Sequence, residues 1–370
     1  MPAHRRALAS RLPGALRRIP RIGVALAAVM AAAAFSPVSA SPSGAGQRTI
    51  AGDDIAVHNL VGHLTVRPGT GSAVVAEITT AGKDADRLRV EQGVLRGRPT
   101  LRVIYPSDRI RVDGMGPSSS TTLRVRDDGT LDVESGEGRK VTLSGRGSGL
   151  DARADIVLTV PRGKRVSIYW GEGKGDASDV DADLRIDGAS FEVAARGSRG
   201  SLTIEVGSGS VSVERATGTV DVETGSGDVE LRDVRGDGLK VETGSGRIDA
   251  HAIETARLEL ETGSGDVRAE SVRAPRASLT TGSGAISMRL DGDADDLALE
   301  SGSGDVTLVV PRAFGAAVHF ETGSGDIDSN VPIEVRSRDR REIDGSIGDG
   351  RGRLNVETGS GSITIRRPEA

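Results

Sequence analysis

Short stretches of alternating apolar and polar residues recur along the second half of the chain. Between positions 220 and 231, Val220, Val222, Val229 and Leu231 are apolar, and the residues beside them are polar. Alternation with a period of two over about five residues is typical of a half-buried β-strand. Each occurrence of the pattern therefore predicts two short strands, which are joined by the turn sequence Thr-Gly-Ser-Gly.

The turn sequence returns at nearly constant spacing, which indicates an internal repeat. The first glycines of the Gly-Ser-Gly copies are Gly207, Gly225, Gly244, Gly263, Gly282, Gly302, Gly323 and Gly359. The last step is about twice the others, and we interpret residues 345–348 as a degenerate copy inside it. Four residues after each first glycine the position is always β-branched: Val211, Val229, Ile248, Val267, Ile286, Val306, Ile327 and Ile363.

A single repeat cannot be stable alone. Its roughly five aliphatic side chains contribute about 8–15 kcal/mol of transfer free energy, whereas ordering ~19 residues costs at least as much. Repeats must therefore stack on one another. The prediction is an all-β, single-chain β-solenoid of about 19-residue rungs, with two short strands per rung joined by TGSG turns. A meander of antiparallel hairpins is the alternative, because it would use the same turn.

We attribute the two glycines of the turn to a backbone with positive φ, which glycine adopts at low steric cost. The turn is not a phosphate-binding loop, because no copy continues into Gly-Lys-Ser/Thr or opens a helix. Its serines have no histidine in a repeated relation to them, so a catalytic triad is not predicted.

The first 40 residues have the features of an export signal. A basic segment precedes the apolar residues 22–35, and small residues at positions 38 and 40 fit cleavage between Ala40 and Ser41. The apolar run is short for a membrane span, although an uncleaved anchor is the alternative. The prediction is a protein in the periplasm, on the cell surface or secreted, with no transmembrane segment in the mature chain.

The domain organisation follows from the regularity of the repeats. We predict a signal peptide at residues 1–40, an irregular N-terminal β region at 41–150 and the regular solenoid at 151–370.

Composition and charge exclude several classes of function. The chain has no cysteine, which rules out disulfides, thiolate nucleophiles and cysteine-bound metals. Six arginines and no acidic residue lie in 1–40, so the rest carries 42 basic and 53 acidic residues, a net charge of −11. That charge disfavours nucleic acid as a partner. Aromatic residues are only 2% of the chain, which disfavours a polysaccharide enzyme with aromatic platforms.

An acidic column stands two residues before each first glycine. It contains Glu205, Glu223, Glu242, Glu261, Glu300 and Glu321, together with Glu357, and Thr280 interrupts it. In a solenoid these carboxylates would form a row along one edge, with Glu205 to Glu261 unbroken and Glu300 beside Glu321. Calcium favours several carboxylate oxygens and is the candidate ligand. A hydrated acidic edge without a metal is the alternative, and no metal, cofactor or catalytic residue is assigned.

Two further features have simple interpretations. Tyr169 and Trp170 are an aromatic pair, which we interpret as a cap or partial core contact, with a sugar-binding platform as the alternative. Residues 336–341 (RSRDRR) are a basic cluster in an acidic protein. We interpret this cluster as a solvated loop, with contact to an acidic polymer as the alternative.

The sequence also resembles a family of exported bacterial adhesins that is built on a domain of unknown function with β-strand repeats. The resemblance rests on HNLVGHLTV at 58–66, LTVPRG at 158–163, the TGSGDV series and GSIGDGRGRLNVETGSGSITI at 345–365. It covers most of residues 50–366. It implies a solenoid-like β fold and a location outside the cytoplasm.

The leading functional hypothesis is a non-enzymatic interaction module or adhesin, which binds a protein or glycan at the cell envelope. A structural, self-assembling scaffold is the alternative, and an enzyme acting on an extracellular polysaccharide is the third. Arg366, Arg367 and Pro368 would blunt the edge strand at the end of the coil, which argues against open polymerisation.

Overall fold

The computed structural model describes residues 46–132 and 137–368. The predicted signal peptide and the Ala40–Ser41 cleavage site lie outside these residues. In the described ranges the regular secondary structure is β-strand apart from one short 3-10 helix at Ala85–Arg87, and no helix there has the length and apolarity that a membrane span requires. The prediction of an all-β fold is confirmed.

The N-terminal strands divide between two sheets. The large sheet takes β1 (Gly46–Ile50), β2 (Asp54–Gly69), β3 (Val74–Ala81), β4 (Arg89–Leu95) and β5 (Arg98–Ile104). A small sheet contains β6 (Arg109–Arg111), β7 (Ser120–Val125), β8 (Leu131–Asp132) and β9 (Arg139–Ser144).

The middle of the chain supplies the long parallel part of the large sheet. It consists of β10 (Arg153–Pro161), β11 (Arg165–Ser178), β12 (Asp183–Arg196), β13 (Leu202–Ser208), β14 (Val211–Glu214), β15 (Thr217–Ser226), β16 (Val229–Thr243), β17 (Ile248–Thr255), β18 (Arg257–Thr262), β19 (Val267–Arg273), β20 (Arg276–Thr281), β21 (Ile286–Leu290), β22 (Asp296–Ser301) and β23 (Val306–Val309). The chain then forms β24 (Ala316–Thr322), β25 (Ile327–Ser329), β26 (Glu334–Arg338), β27 (Glu342–Ile347), β28 (Gly352–Thr358) and β29 (Ile363–Arg366).

We call the region from β11 to β23 the stack, and its strands pair in parallel with their counterparts in the next turn of the coil. Val222 pairs with Val241, and Val241 pairs with Leu260. The β-branched column is paired in the same way, and its members are almost fully buried: Val211, Val229, Ile248, Val267, Ile286 and Val306. The solenoid is confirmed, and the antiparallel meander is wrong for the stack.

The region before residue 150 joins the same coil through β2. This long strand pairs in parallel with β10 and with β11, so that His58 lies beside Tyr169. The Asp127–Gly129 segment forms a turn between β7 and β8, whose residues Val125 and Leu131 pair antiparallel. The small sheet contacts the coil through β7, which lies near β12, and through β8, which lies near β2 and β11.

The end of the coil departs from the order of the sequence. Strand β28 lies between β22 and β24, and β29 lies between β23 and β25. Residues 345–348, interpreted above as a degenerate repeat, are instead at the end of β27, which runs antiparallel to β24. The prediction that Arg366 lies on a blunted edge is also wrong, because β29 is paired on both sides. Strand β26 pairs with β27 alone and is therefore an edge strand; it is exposed and carries part of the basic cluster.

The glycines of the turns are required by contact between neighbouring turns of the coil. A Cβ on Gly265 would overlap the carbonyl oxygen of Gly246, and a Cβ on Gly246 would overlap that of Gly227. From Gly244 onward the turn glycines do not have φ in the left-handed region. The predicted reason for these residues, positive φ, is therefore wrong for most copies, and close backbone approach replaces it.

Candidate binding cleft and acidic row

The recurring turn is held by side-chain hydrogen bonds, which give it a structural role. Thr262 Oγ1 donates to the Gly246 carbonyl at 2.9 Å and accepts the Gly265 N–H at 3.1 Å. In the first turn the same position is Val206, and in the other six turns it is a buried Thr or Ser: Thr224, Thr243, Thr281, Ser301, Thr322 and Thr358. Sequence reasoning overlooked this column, although a hydroxyl residue precedes seven of the eight Gly-Ser-Gly copies in the sequence.

The aspartate after the turn has a related structural role. Asp228 Oδ1 accepts the Arg247 N–H at 2.9 Å, and Asp266 Oδ1 accepts the Ala285 N–H at 2.9 Å. Each bond links one turn of the coil to the next. The TGSGD sequence therefore links neighbouring turns of the coil through hydrogen bonds between its side chains and the backbone.

The acidic column forms one continuous row of paired positions on an outward face. In pairing order this acidic row is Asp187, Glu205, Glu223, Glu242, Glu261, Thr280, Glu300, Glu357, Glu321 and Glu342. The expected unbroken run from Glu205 to Glu261 is present in this register. Glu300 and Glu321 are not neighbours, because β28 inserts Glu357 between them.

Basic side chains offset part of the charge of the acidic row. Arg185 Nη2 lies 2.6 Å from Glu205 Oε2, and Lys240 Nζ lies 2.6 Å from Glu242 Oε1. These groups are substantially exposed, so each pair contributes little to stability. Calcium binding along the acidic row stays a prediction.

Beyond Asp187 the line of paired positions continues with aromatic and basic residues in place of carboxylates. Tyr169 pairs with Asp187, His58 pairs with Tyr169, and Arg102 pairs with His58. The rings of His58 and Tyr169 stack with centroids 4.5 Å apart and planes 8° from parallel. Beyond this end of the acidic row the paired positions therefore hold Tyr169, which is partly exposed, and the buried side chains of His58 and Arg102.

Tyr169 stands between two hollows, which together we call the cleft. The larger has a volume of about 640 Å³ and includes Asp54, His58, Arg98, Arg126, Asp128 and Tyr169 in its lining. The smaller has a volume of about 430 Å³ and lies between Tyr169, the small sheet and the first residues of the acidic row. The cleft is thus formed where the coil meets the β4–β5 hairpin and the small sheet.

Arg98 lines the larger hollow, where its guanidinium can contact a bound ligand. Its guanidinium donates to Ser167 Oγ at 3.1 Å and to the Tyr169 hydroxyl at 3.4 Å, and it lies 3.5 Å from Asp54. Asp128 accepts the backbone N–H and the hydroxyl of Thr130 at 2.9 and 2.7 Å. The lining therefore combines one aromatic ring with guanidinium and carboxylate groups.

His58 holds the small sheet against the coil. Burial, followed by the nearby positive charge of Arg98, lowers the pKa of His58 to about 3. The neutral ring can then accept the Leu131 N–H at Nδ1, with a distance of 3.2 Å. This bond connects β2 of the coil with β8, so the imidazole shapes the cleft as a structural group.

The aromatic pair divides between core and surface. Trp170 is 1% exposed, and its Nε1–H donates to the Gly62 carbonyl at 3.0 Å. The interpretation as a core contact agrees with the position of Trp170. Tyr169 is only partly buried and lines both hollows. The cleft itself was not predicted, because residues far apart in the sequence assemble it.

Comparisons with known proteins identify the family and little else. Among curated proteins none matches the chain. A crystal structure of a "putative cell adhesion protein" from Clostridium sporogenes is similar at 12% identity and a TM-score of 0.21, covering 87% of this chain and 98% of that one. The family model named Toastrack DUF4097, a domain of unknown function, matches residues 103–366. The chain belongs to the Toastrack DUF4097 family.

Proposed function

We propose that the protein is a non-enzymatic binding module that works outside the cytoplasm and holds a glycan of the cell envelope in the cleft. Tyr169 carries this proposal, because it is only partly buried and stands between a polar hollow and a more apolar one. Concave sites with an apolar surface and a few convergent polar groups are the usual form of ligand sites. Attachment of a cell to that glycan, as in an adhesin, is one form of this role.

The groups around Tyr169 support a sugar as the ligand. An aromatic ring offers an apolar surface to the C–H groups of a sugar, while its edge and hydroxyl remain available to polar contacts. Arg98 and Asp54 offer donors and acceptors to sugar hydroxyls on one side of the ring. On the other side, Glu205 lines the smaller hollow. The cleft can therefore contact more than one sugar unit.

The carboxyl groups of the larger hollow support binding without catalysis. A general acid at neutral pH needs a raised pKa. Burial opposes the ionised form of Asp128, but its two hydrogen bonds from Thr130 prevail and lower its pKa. Asp54 lies beside the Arg98 guanidinium. These two groups are thus suited to accept hydrogen bonds from a ligand.

Two finer parts of the proposal rest on the sequence. The coil is taken to advance by about 19 residues per rung with TGSG turns, which agrees with the Val222–Val241 and Val241–Leu260 pairs. Export rests on the signal features of residues 1–40, and the intact mass of the protein from its native source should correspond to a chain that begins at Ser41. A mass that includes Met1 or Pro2 would contradict export with cleavage.

A structural scaffold is the second candidate, and the basic cluster is the feature that bears on it. All residues of the edge strand β26 are exposed, and Arg336 and Arg338 lie on it. Charged edge strands oppose pairing with another chain. This edge therefore favours a discrete binding protein over a scaffold that grows by edge-to-edge pairing.

Trp170 provides the assay for the cleft, because it is the chain's only tryptophan and it lines the smaller hollow. Soluble peptidoglycan fragments and neutral and acidic polysaccharides should be titrated while tryptophan emission is recorded. We expect saturable binding of at least one glycan class, with affinity reduced at least tenfold in Tyr169→Ala and in Arg98→Ala.

Arg276→Ala is the matched control, because Arg276 is an exposed arginine on β20 outside the cleft. It should bind as the wild type does. Equal affinity of Tyr169→Ala and wild type for every glycan that binds would overturn the proposal. Binding of an envelope protein, with no glycan bound, would also overturn it.

A further inference from the structure

The antiparallel pair β24–β27 gathers a histidine and several carboxylates on one outward face. His319 is directly opposite Asp344, and Glu321 is directly opposite Glu342. Alternate residues of a strand point to the same face, and directly opposite residues have Cβ atoms about 4.5–5.5 Å apart. Two adjacent strands thus supply four side chains that can act as metal ligands.

The atoms of this group are close enough for one ion to contact several of them. His319 Nδ1 lies 2.9 Å from Asp344 Oδ1, and His319 Nε2 lies 3.8 Å from Glu321 Oε2. One potential ligand atom from each of His319, Glu342 and Asp344 lies within 4.8 Å of the others. Within the described part of the chain, no other group of at least three His, Asp or Glu side chains meets this spacing.

The donor set has the chemistry of a transition-metal site. Zinc is bound in proteins by imidazole nitrogen at about 2.0–2.1 Å and by carboxylate oxygen at about 2.0–2.2 Å. Calcium and magnesium prefer oxygen ligands only, so His319 distinguishes this group from the rest of the acidic row. We propose that His319, Glu342 and Asp344 form a binding site for a zinc-type divalent cation at the β24–β27 end of the acidic row.

The surrounding charges support the site. Glu342, Asp344 and Glu357 place negative charges around His319. The same negative potential attracts a divalent cation. Lys240 stands two residues before Glu242 and pairs with it, and Arg185 stands two residues before Asp187 and lies 3.9 Å from it. At the β24–β27 end the corresponding residue before Glu321 is His319, whose ring nitrogens are potential metal ligands.

The test is a calorimetric titration of zinc chloride into the chain from Ser41 onward, produced without an affinity tag and first treated with a chelator. We expect one zinc ion per chain. In His319→Ala and in Asp344→Asn the affinity should fall at least tenfold, because each variant removes one of only three protein ligands. Glu342→Gln should also weaken binding.

His251→Ala is the matched control, because His251 is exposed on β17 and lies outside the proposed site. It should retain the wild-type affinity. Thermal unfolding of each variant without metal checks that it is folded, and zinc should raise the melting temperature of the wild type and of His251→Ala but not of His319→Ala.

Two results would overturn the proposal: the absence of a stoichiometric zinc site in the wild type, or a zinc affinity that His319→Ala leaves unchanged. A site for calcium that matches the affinity for zinc would also contradict the role of the imidazole. The inference is independent of the glycan proposal, because Tyr169→Ala should bind zinc normally.

Discussion

The stack and the two places where its repetition breaks differ in what determines each residue. Within the stack, a position is set by contact with the same position in the neighbouring turn of the coil, as with Gly246 and Gly265. Tyr169 lies on the line of paired positions that continues the acidic row, and His319 lies two residues before Glu321 of that row; each of these residues occurs once at its position. Repetition therefore supplies a stable support, and the chemistry is found where the repeat is interrupted.

The largest loss of stability is expected from a substitution that fills the space between two turns of the coil. In Gly265→Ala the new Cβ would overlap the Gly246 carbonyl oxygen, so two turns of the coil must separate. We expect a loss of roughly 4–5 kcal/mol in the free energy of unfolding, measured with denaturant. Gly238→Ala is the control on β16, because the nearest atom to its Cβ would be 4.0 Å away. If the two variants were equally stable, close backbone approach would not be the reason for the turn glycines.

The cleft end should respond to pH through His58. Its pKa is about 3 in the folded protein, against the ordinary 6.5, so below pH 6.5 the unfolded chain binds a proton that the folded chain does not. Stability should therefore fall as the pH decreases from about 6.5 to 3, with His58 contributing about 4 kcal/mol of the loss at pH 3.

The measurement is denaturant unfolding of wild type and His58→Gln at several pH values. Their difference in stability should change in favour of the variant as the pH falls. Two stability curves that remain parallel from pH 7 to pH 4 would show that the imidazole is not held neutral against the small sheet.

The column of buried Thr and Ser residues before the turns allows a comparison of two adjacent threonines, Thr281 and Thr280. Thr281 Oγ1 donates to the Gly265 carbonyl at 2.8 Å and accepts the Gly284 N–H at 3.1 Å, whereas Thr280 lies on the outward acidic row. Thr281→Val should cost about 1–3 kcal/mol, because it leaves a buried carbonyl and N–H without these partners. Thr280→Val should change stability by less than about 0.5 kcal/mol. Equal effects in chemical denaturation would contradict the structural role of the column.

The smallest effect concerns the acidic row. Carboxylates at the strand spacing of about 4.8 Å repel by ~0.9 kcal/mol per pair in bulk water, and salt screens this repulsion. The melting temperature should rise by roughly 1–3 °C with added sodium chloride. The rise should be smaller in the combined variant Glu223→Gln, Glu242→Gln and Glu261→Gln. A wild type that is insensitive to salt would mean that Arg185, Lys240 and other cations already neutralise the row.

The sequence alone was sufficient to predict the features that depend only on the repeat. The buried column containing Val229 and Ile248 and the alignment of Glu205 with Glu223 follow directly from spacing. The neighbour of Glu300 could not be predicted, because β28 pairs with β22 across more than fifty intervening residues. The role of the turn glycines was predicted wrongly for a similar reason. The carbonyl oxygen that a Cβ would overlap belongs to a neighbouring turn of the coil, not to the turn that contains the glycine.

The cleft was beyond sequence reasoning for a physical reason. His58, Arg98, Asp128 and Tyr169 come from four separate segments, and none of them follows a repeat. Their proximity depends on where the β4–β5 hairpin and the small sheet rest against the coil. Such contacts are fixed by tertiary packing, which leaves no periodic signal along the chain.

The insertion of β28 between β22 and β24 also sets the order in which the molecule can be completed. A coil with sequential strands could assemble progressively while the chain is being synthesised. Here β24 and β25 cannot reach their final neighbours until residues 352–366 have been made. Until then β22 and β23 present unpaired backbone groups, which are templates for association with other chains. Strands β28 and β29 therefore complete the pairing of four earlier strands, and a ribosome that stops before residue 352 would release an aggregation-prone coil.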